Sequence, residues 1–263
     1  MLKMRINNID RGAEINWDSV SKDYAQFRQG YPDQFYQELI DKGIGLPQQK
    51  ILDLATGTGE LAINFARNGA TVTGVDISVN QIEEAKEISQ ASNLNVDFIV
   101  SPCESMPISS DKKFDVISAS LCWPYFNQEK IYHEVKRLLR EDGILFVSYL
   151  FWLATDPVVE CTEKIMLKYN PNWSHAGFTG DINGFFNWDK QRYNVGETQS
   201  HSIHQEFSKE SWIGRVRGHR AIGATLNQDK IANFISELSD QLREFPDILF
   251  IEHFIFYHII KLL

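Results

Sequence analysis

Two aspartates and two glycines carry the chemistry open to this chain. Asp53 sits inside the apolar run Ile51-Leu-Asp-Leu54, and Gly57 and Gly59 follow at once in Ala55-Thr-Gly-Thr-Gly59. Asp76 closes the next apolar run, Thr71-Val-Thr-Gly-Val-Asp76, 23 positions after Asp53. A strand whose glycine-rich turn opens into a helix presents backbone N–H groups at the helix N-terminus, where polar or anionic ligand groups are well received. Glycine serves there because the backbone takes positive φ or must approach a ligand with no Cβ between them. A carboxylate ending the second strand can accept hydrogen bonds from both ribose hydroxyls of an adenosine. The turn alone leaves two cofactors open. Gly57 and Gly59 also fill the first two places of Gly-x-Gly-x-x-Gly, and Ala62 can serve as its third, so a dinucleotide reading stands on this segment.

The elements that must hold these residues alternate between strand and helix through the first 150 positions. Ser78 is placed to cap a helix over Val79–Ala91. Strands follow at Val96–Val100 and Phe114–Leu121, the second nearly all apolar as an interior parallel strand is. Ile131, Val135, Leu138 and Leu139 form one stripe of a helix over Gln128–Leu139, and Gly143 launches a strand at Ile144–Phe151. The alternation predicts an α/β fold with a doubly wound, mostly parallel sheet. From Phe151 to Tyr193 nine of 43 residues are aromatic and no period runs through them, which predicts a cap insertion. A sixth strand is expected at His201–Phe207, a helix capped by Ser208 through Val216, a longer helix over Gln228–Phe245, and a seventh strand at Ile248–Ile260. The expected organisation is a lid and cofactor core over 1–150, a cap over 151–200, and sheet completion over 201–263.

Composition narrows the partners. A net charge of −9 and a pI near 5.3 argue against a nucleic-acid surface, which needs a basic face. Cys103, Cys122 and Cys161 form no C-x-x-C pair, so neither a disulfide framework nor a zinc site is expected, and no metal is assigned. No apolar leader is seen in the first eleven residues. The apolar C-terminal run is interrupted by Glu252, His253, His258 and Lys261 and is too short to span a bilayer. The expectation is a cytoplasmic protein without membrane segments, monomeric or homodimeric, acting on a small molecule.

The order strand, Asp-x-Ala-Thr-Gly-Thr-Gly, helix, strand, Asp resembles the class I, Rossmann-like S-adenosylmethionine-dependent methyltransferases. Their usual turn is Asp/Glu-x-Gly-x-Gly-x-Gly, and Ala55 stands here for its first glycine. The resemblance implies a seven-stranded sheet of order 3-2-1-4-5-7-6 with the last strand antiparallel. It also implies S-adenosylmethionine as cofactor, held by Asp53, Ala55, Thr56, Gly57 and Gly59, and by Asp76, Ile77 and Gln81. Val100-Ser-Pro-Cys-Glu-Ser-Met-Pro-Ile108 resembles the family's Gly-Asp-Ala-Glu-x-Leu-Pro-Phe segment, which places Cys103 and Glu104 at the adenine. Pro102 replaces the aspartate that accepts from the adenine amine, and proline offers neither that carboxylate nor a backbone donor. Phe114 to Trp123 resembles the fourth-strand motif, with Ser120 toward the cofactor and Trp123 toward the acceptor. Relatives of the trans-aconitate methyltransferase group carry His-Trp-Phe-Asp where this chain has Cys122-Trp-Pro-Tyr125. Cys122 is also a poor substitute for the Asn or Asp of amino-group methyltransferases.

Trp17 to Pro32 resembles the family's lid, Tyr-x-x-x-Arg-Pro-x-Tyr-Pro. This implies Tyr24 and Arg28 at the methionine carboxylate, which arginine meets bidentately, and Tyr31 at the acceptor. Methyl transfer from a sulfonium is an in-line displacement, so the protein chiefly positions the acceptor and excludes water. A base is needed only for an acceptor protonated at neutral pH. His175, in Trp173-Ser-His-Ala-Gly-Phe178, is the candidate for such a base or for a substrate contact; no catalytic residue is otherwise assigned. Arg215, in Arg215-Val-Arg-Gly-His-Arg220, is a candidate for binding an anionic acceptor such as a carboxylate, against a solvated helix end as the alternative. Two further function classes stay open on the residues: an NAD(P)-dependent oxidoreductase and a non-catalytic S-adenosylmethionine-binding module.

Overall fold

A computed structural model describes residues 4–5, 9–183 and 185–263 of the chain. Nine strands and eight α-helices lie in this order among the described residues: β1 Met4–Arg5, β2 Glu14–Ile15, α1 Ser21–Phe27, α2 Asp33–Asp41, β3 Lys50–Leu54, α3 Glu60–Arg67, β4 Thr71–Asp76, α4 Val79–Ala91, β5 Asp97–Val100, β6 Phe114–Ser120, α5 Gln128–Leu138, β7 Leu139–Trp152, α6 Pro157–Tyr169, β8 Tyr193–Ser208, α7 Lys209–Arg217, α8 Gln228–Gln241 and β9 Ile248–Leu262. The chain forms two compact units. The first comprises Met1–Gln29, Leu150–Phe186 and His201–Ile255, and the second Gly30–Tyr149, Asn187–Ser200 and Phe256–Leu263.

Seven strands form one sheet in the order β5-β4-β3-β6-β7-β9-β8, and β1 pairs β2 separately. Counted among those seven, the order is the 3-2-1-4-5-7-6 expected. The pairings of β3 with β4 and β6, of β4 with β5 and of β6 with β7 are all parallel. β9 runs the other way. Leu153 N–H donates to Glu252 O at 2.9 Å, so the end of β7 meets the start of β9, and Leu263 N–H donates to Arg192 O at 3.0 Å beside the start of β8. Ile51, Leu52, Leu54, Val116, Ile117 and Leu145 are wholly buried, which explains why these central strands read as nearly continuous apolar runs.

Helices α4, α5, α7 and α8 start after short polar side chains that accept the first free N–H groups. Ser78 accepts from Gln81 N, Asn127 from Lys130 N, Ser208 from Ser211 N and Asn227 from Lys230 N. The aromatic stretch expected to lack a period holds the 13-residue helix α6. Asp156 caps it by accepting from Val158 and Val159 N–H, and Pro157 opens it, the signal that could have revealed it. Its apolar stripe is diluted because buried Thr162 and Glu163 accept from the indole N–H groups of Trp212 (3.0 Å) and Trp152 (2.9 Å). β7 and β8 also start earlier than expected. β8 is an edge strand whose outward residues are polar, so its first half carries little apolar signal. No described helix is long and apolar enough to cross a membrane.

Candidate functional site

The second unit holds the turn after β3. Parallel pairing sets Asp53 beside Ser118 of β6, whose Oγ donates to Asp53 Oδ1 at 2.7 Å. Thr56 Oγ1 donates to Asp53 Oδ2 at 2.6 Å. Burial pushes the Asp53 carboxyl from 3.8 up to about 6, against the lowering effect of these two hydrogen bonds. The side chain is thus turned inward and shapes the turn; Ser118, its anchor, becomes apparent only once the strands are paired. Thr56 N–H is taken by Val75 O at 2.9 Å. Ala55, in the place of the family's first glycine, holds φ +48°, Gly57 φ +57° and Gly59 φ +85°. Ala55 pays for that conformation with steric strain on the order of 1–2 kcal/mol.

The two glycines do different work. A Cβ at Gly57 would meet only Gln81 Oε1, at 3.7 Å, so the turn is open there. A Cβ at Gly59 would lie 3.0–3.3 Å from Ile63, Phe98 and Ala85, so Gly59 lets α3 pack closely.

Asp76 ends β4 as a prepared acceptor. Its Oδ2 accepts from Gly57 N–H at 2.9 Å and its Oδ1 from Ser78 N–H at 2.8 Å. Each carboxylate oxygen has about two acceptor positions, and these two backbone bonds fix how the group is aimed. Ile77 follows it, half-buried. Gln81 is buried, and its Oε1 has no hydrogen-bond partner among the described residues. Cys103 is buried beside the turn, where its Sγ accepts from Ala55 N–H at 3.3 Å and burial raises its thiol pKa. Glu104 Oε1 accepts from Asn127 N–H at 3.0 Å and ties this segment to the start of α5; Pro102 is exposed.

At the C-terminal end of β6, Ser120 Oγ is 2.8 Å from Tyr31 OH, which donates to Ser148 Oγ at 3.1 Å. Ser120 and Ser148 are register partners on β6 and β7. A Cβ at Gly30 would overlap the Glu60 carboxylate, so the segment bearing Tyr31 lies directly on the first turn of α3. Leu121 follows at φ +61°, an unfavourable conformation for a bulky residue and one that collects at ligand sites. Trp123 is only 2 % exposed, its ring 5.3 Å from Trp188 and 6.1 Å from Tyr193, so it is part of an aromatic core.

The remaining expected residues belong to the first unit. Arg28 caps α1 and its Cζ lies 5.0 Å above the Tyr24 ring. Arg215 of α7 is buried with its Cζ 5.0 Å above Trp152. His175 Nδ1 is 2.9 Å from Arg220 Nη2, and Arg220 pairs with buried Asp10 at 2.8 Å. A guanidinium only donates, so Nδ1 holds the lone pair and Nε2 the proton. Burial, with Arg220, lowers the His175 pKa to about 4. Its one basic nitrogen is engaged, which makes it a poor general base.

A family model described as a methyltransferase domain matches residues 47–206. A ubiquinone biosynthesis O-methyltransferase of Glaesserella parasuis is 33 % identical over 117 residues, covering 41 % of this chain and 48 % of that protein. A ribosomal protein methyltransferase of Dictyoglomus thermophilum is 31 % identical over 119 residues, covering 45 % of this chain and 38 % of that protein. The chain spans about half the length of the curated relatives it matches. An S-adenosylmethionine-dependent methyltransferase of Geobacter sulfurreducens, solved with S-adenosyl-L-homocysteine, is alike in fold: TM-score 0.53 at 16 % identity, over 92 % of this chain and 96 % of that one.

Proposed function

The chain belongs to the methyltransferase-domain family that its residues 47–206 match, and from that premise we propose that it transfers a methyl group from S-adenosylmethionine to a small-molecule acceptor. The observation that carries this reading is the Asp76 carboxylate, fixed by Gly57 and Ser78 N–H beside the open glycine turn. The buried Gln81 Oε1, without a partner among the described residues and facing the open side of Gly57, fits a site that receives hydrogen-bond donors from a ligand.

When bound, the cofactor supplies a methyl group already activated by its sulfonium. In this reading Asp76 accepts from the ribose hydroxyls, with Ile77 and Gln81 behind it. Ala55, Thr56 and Gly57 shape the turn, Asp53 holds that shape from within, and Gly59 seats α3. Cys103 and Glu104 border the adenine. Ser120 lies toward the methionine end with Tyr31, whose two serine contacts orient its hydroxyl. These residues bind, orient and exclude water, which suffices for an acceptor that is already nucleophilic.

The acidic composition favours a small molecule over nucleic acid, and the unpaired cysteines suit a cytoplasmic location. The resemblance around Trp123 supports a reading within the trans-aconitate methyltransferase group. Incubation with S-adenosylmethionine and a panel of metabolites, read by mass spectrometry, is expected to give a product 14 Da heavier than its acceptor. Retained cofactor binding with no such product from any candidate would instead mark a non-catalytic binding module.

A further inference from the structure

We propose that Cys122 and Cys103 are positioning residues that grip the two ends of one peptide, Leu54–Ala55, and hold the turn of the second unit in its ligand-receiving form. The Cys103 Sγ accepts from Ala55 N–H at 3.3 Å, and the Cys122 thiol donates to Leu54 O at 3.4 Å. That N–H and that carbonyl belong to the same planar unit, which can turn only as a whole. Cys103 directs its own S–H toward Val75 O, at 4.0 Å, which leaves its sulfur lone pairs for Ala55. Both thiols are buried, and burial raises both pKa values, so each stays neutral and Cys122 keeps the proton it donates.

The need for a grip lies in Ala55. This residue holds φ +48°, where its Cβ crowds the following carbonyl oxygen. Turning the Leu54–Ala55 peptide over would carry Ala55 to negative φ and relieve that strain, at the cost of the turn's shape. A thiol hydrogen bond is weak alone, but two at opposite ends of one rigid plane oppose the same rotation. The next peptide is fixed separately, since Thr56 N–H donates to Val75 O at 2.9 Å. Cys122 reaches Leu54 from the neighbouring strand end: Ala119 of β6 is the register partner of Leu54, and Leu121, at φ +61°, redirects the chain just before Cys122. Glycine at position 55 would carry no such strain, so the grip matters because alanine stands there. Taken with the methyltransferase reading, on which this last step rests, the grip sets cofactor affinity, because the gripped turn is the one whose Gly57 N–H meets Asp76.

Two measurements on the full chain test the grip: hydrogen exchange at the Ala55 N–H without ligand, read by NMR on alanine-labelled protein, and calorimetry with S-adenosylhomocysteine. Cys122 is the cleaner probe, since Cys103 itself borders the adenine in that reading. Cys122→Ala is expected to exchange the Ala55 N–H about tenfold faster and to bind S-adenosylhomocysteine about tenfold more weakly. Cys122→Ser keeps a donor and is expected to stay within about threefold of wild type in both. In an Ala55→Gly background, Cys122→Ala is expected to weaken binding by about threefold or less, because glycine gains nothing from the turned-over peptide. Faster exchange in Cys122→Ala, with no S-adenosylhomocysteine binding to wild type, supports the grip and sinks the cofactor reading. The proposal is overturned if Cys122→Ala leaves exchange or affinity at the wild-type value, or if Cys122→Ser loses as much as Cys122→Ala. An affinity loss of the same size in the Ala55→Gly background also overturns it, since that marks an ordinary packing defect.

Discussion

Asp76→Ala is expected to weaken S-adenosylhomocysteine binding by about 1.5–3 kcal/mol, on the order of 10- to 150-fold, while the protein remains folded. The carboxylate is aimed before any ligand arrives, since Gly57 and Ser78 N–H hold one oxygen each. Its removal takes away the charged acceptor for the ribose hydroxyls and frees the two backbone donors that fix the turn. Both effects act on affinity. Asp76→Asn keeps one acceptor oxygen and should fall between the two. An Asp76→Ala protein that binds with wild-type affinity would refute the ribose role.

Asp53 is expected to show itself through pH. Burial raises its pKa from 3.8 to about 6, so between those values the folded protein keeps a proton that the unfolded chain has released. Stability from this group is therefore fully present below about pH 4 and is lost as pH rises through about 6. A difference of roughly two pKa units corresponds to about 3 kcal/mol. Asp53→Asn keeps the shape and cannot titrate. Urea unfolding should therefore show the variant gaining on wild type by about 2 kcal/mol between pH 4 and pH 7, most of that full difference. A difference that stays constant across that range would mean that Asp53 ionises without a burial penalty.

Much of the second unit was legible because its signals are local. The apolar run 51–54, the glycine turn, the Ser78 cap and the acid at 76 are contiguous in sequence, and each has one physical reading. Features that depend on pairing were not legible. Ser118 matters only because parallel register sets it against Asp53, and Ser148 only because it stands opposite Ser120. Gly59 matched a ligand motif, yet Ile63, Phe98 and Ala85 explain it by packing. Trp123 read as a substrate contact and lies instead among Trp188 and Tyr193. α6 was hidden because two of its buried side chains, Thr162 and Glu163, are polar and satisfied by indoles.

The central claim is that the turn from Asp53 to Gly59, with Asp76, receives S-adenosylmethionine. Its most direct test is calorimetry on the intact protein with S-adenosylhomocysteine and with NAD in parallel. Saturable binding of S-adenosylhomocysteine, weakened in Asp76→Ala, with no heat from NAD, is the expected result. Saturable NAD binding with no response to S-adenosylhomocysteine would contradict the account.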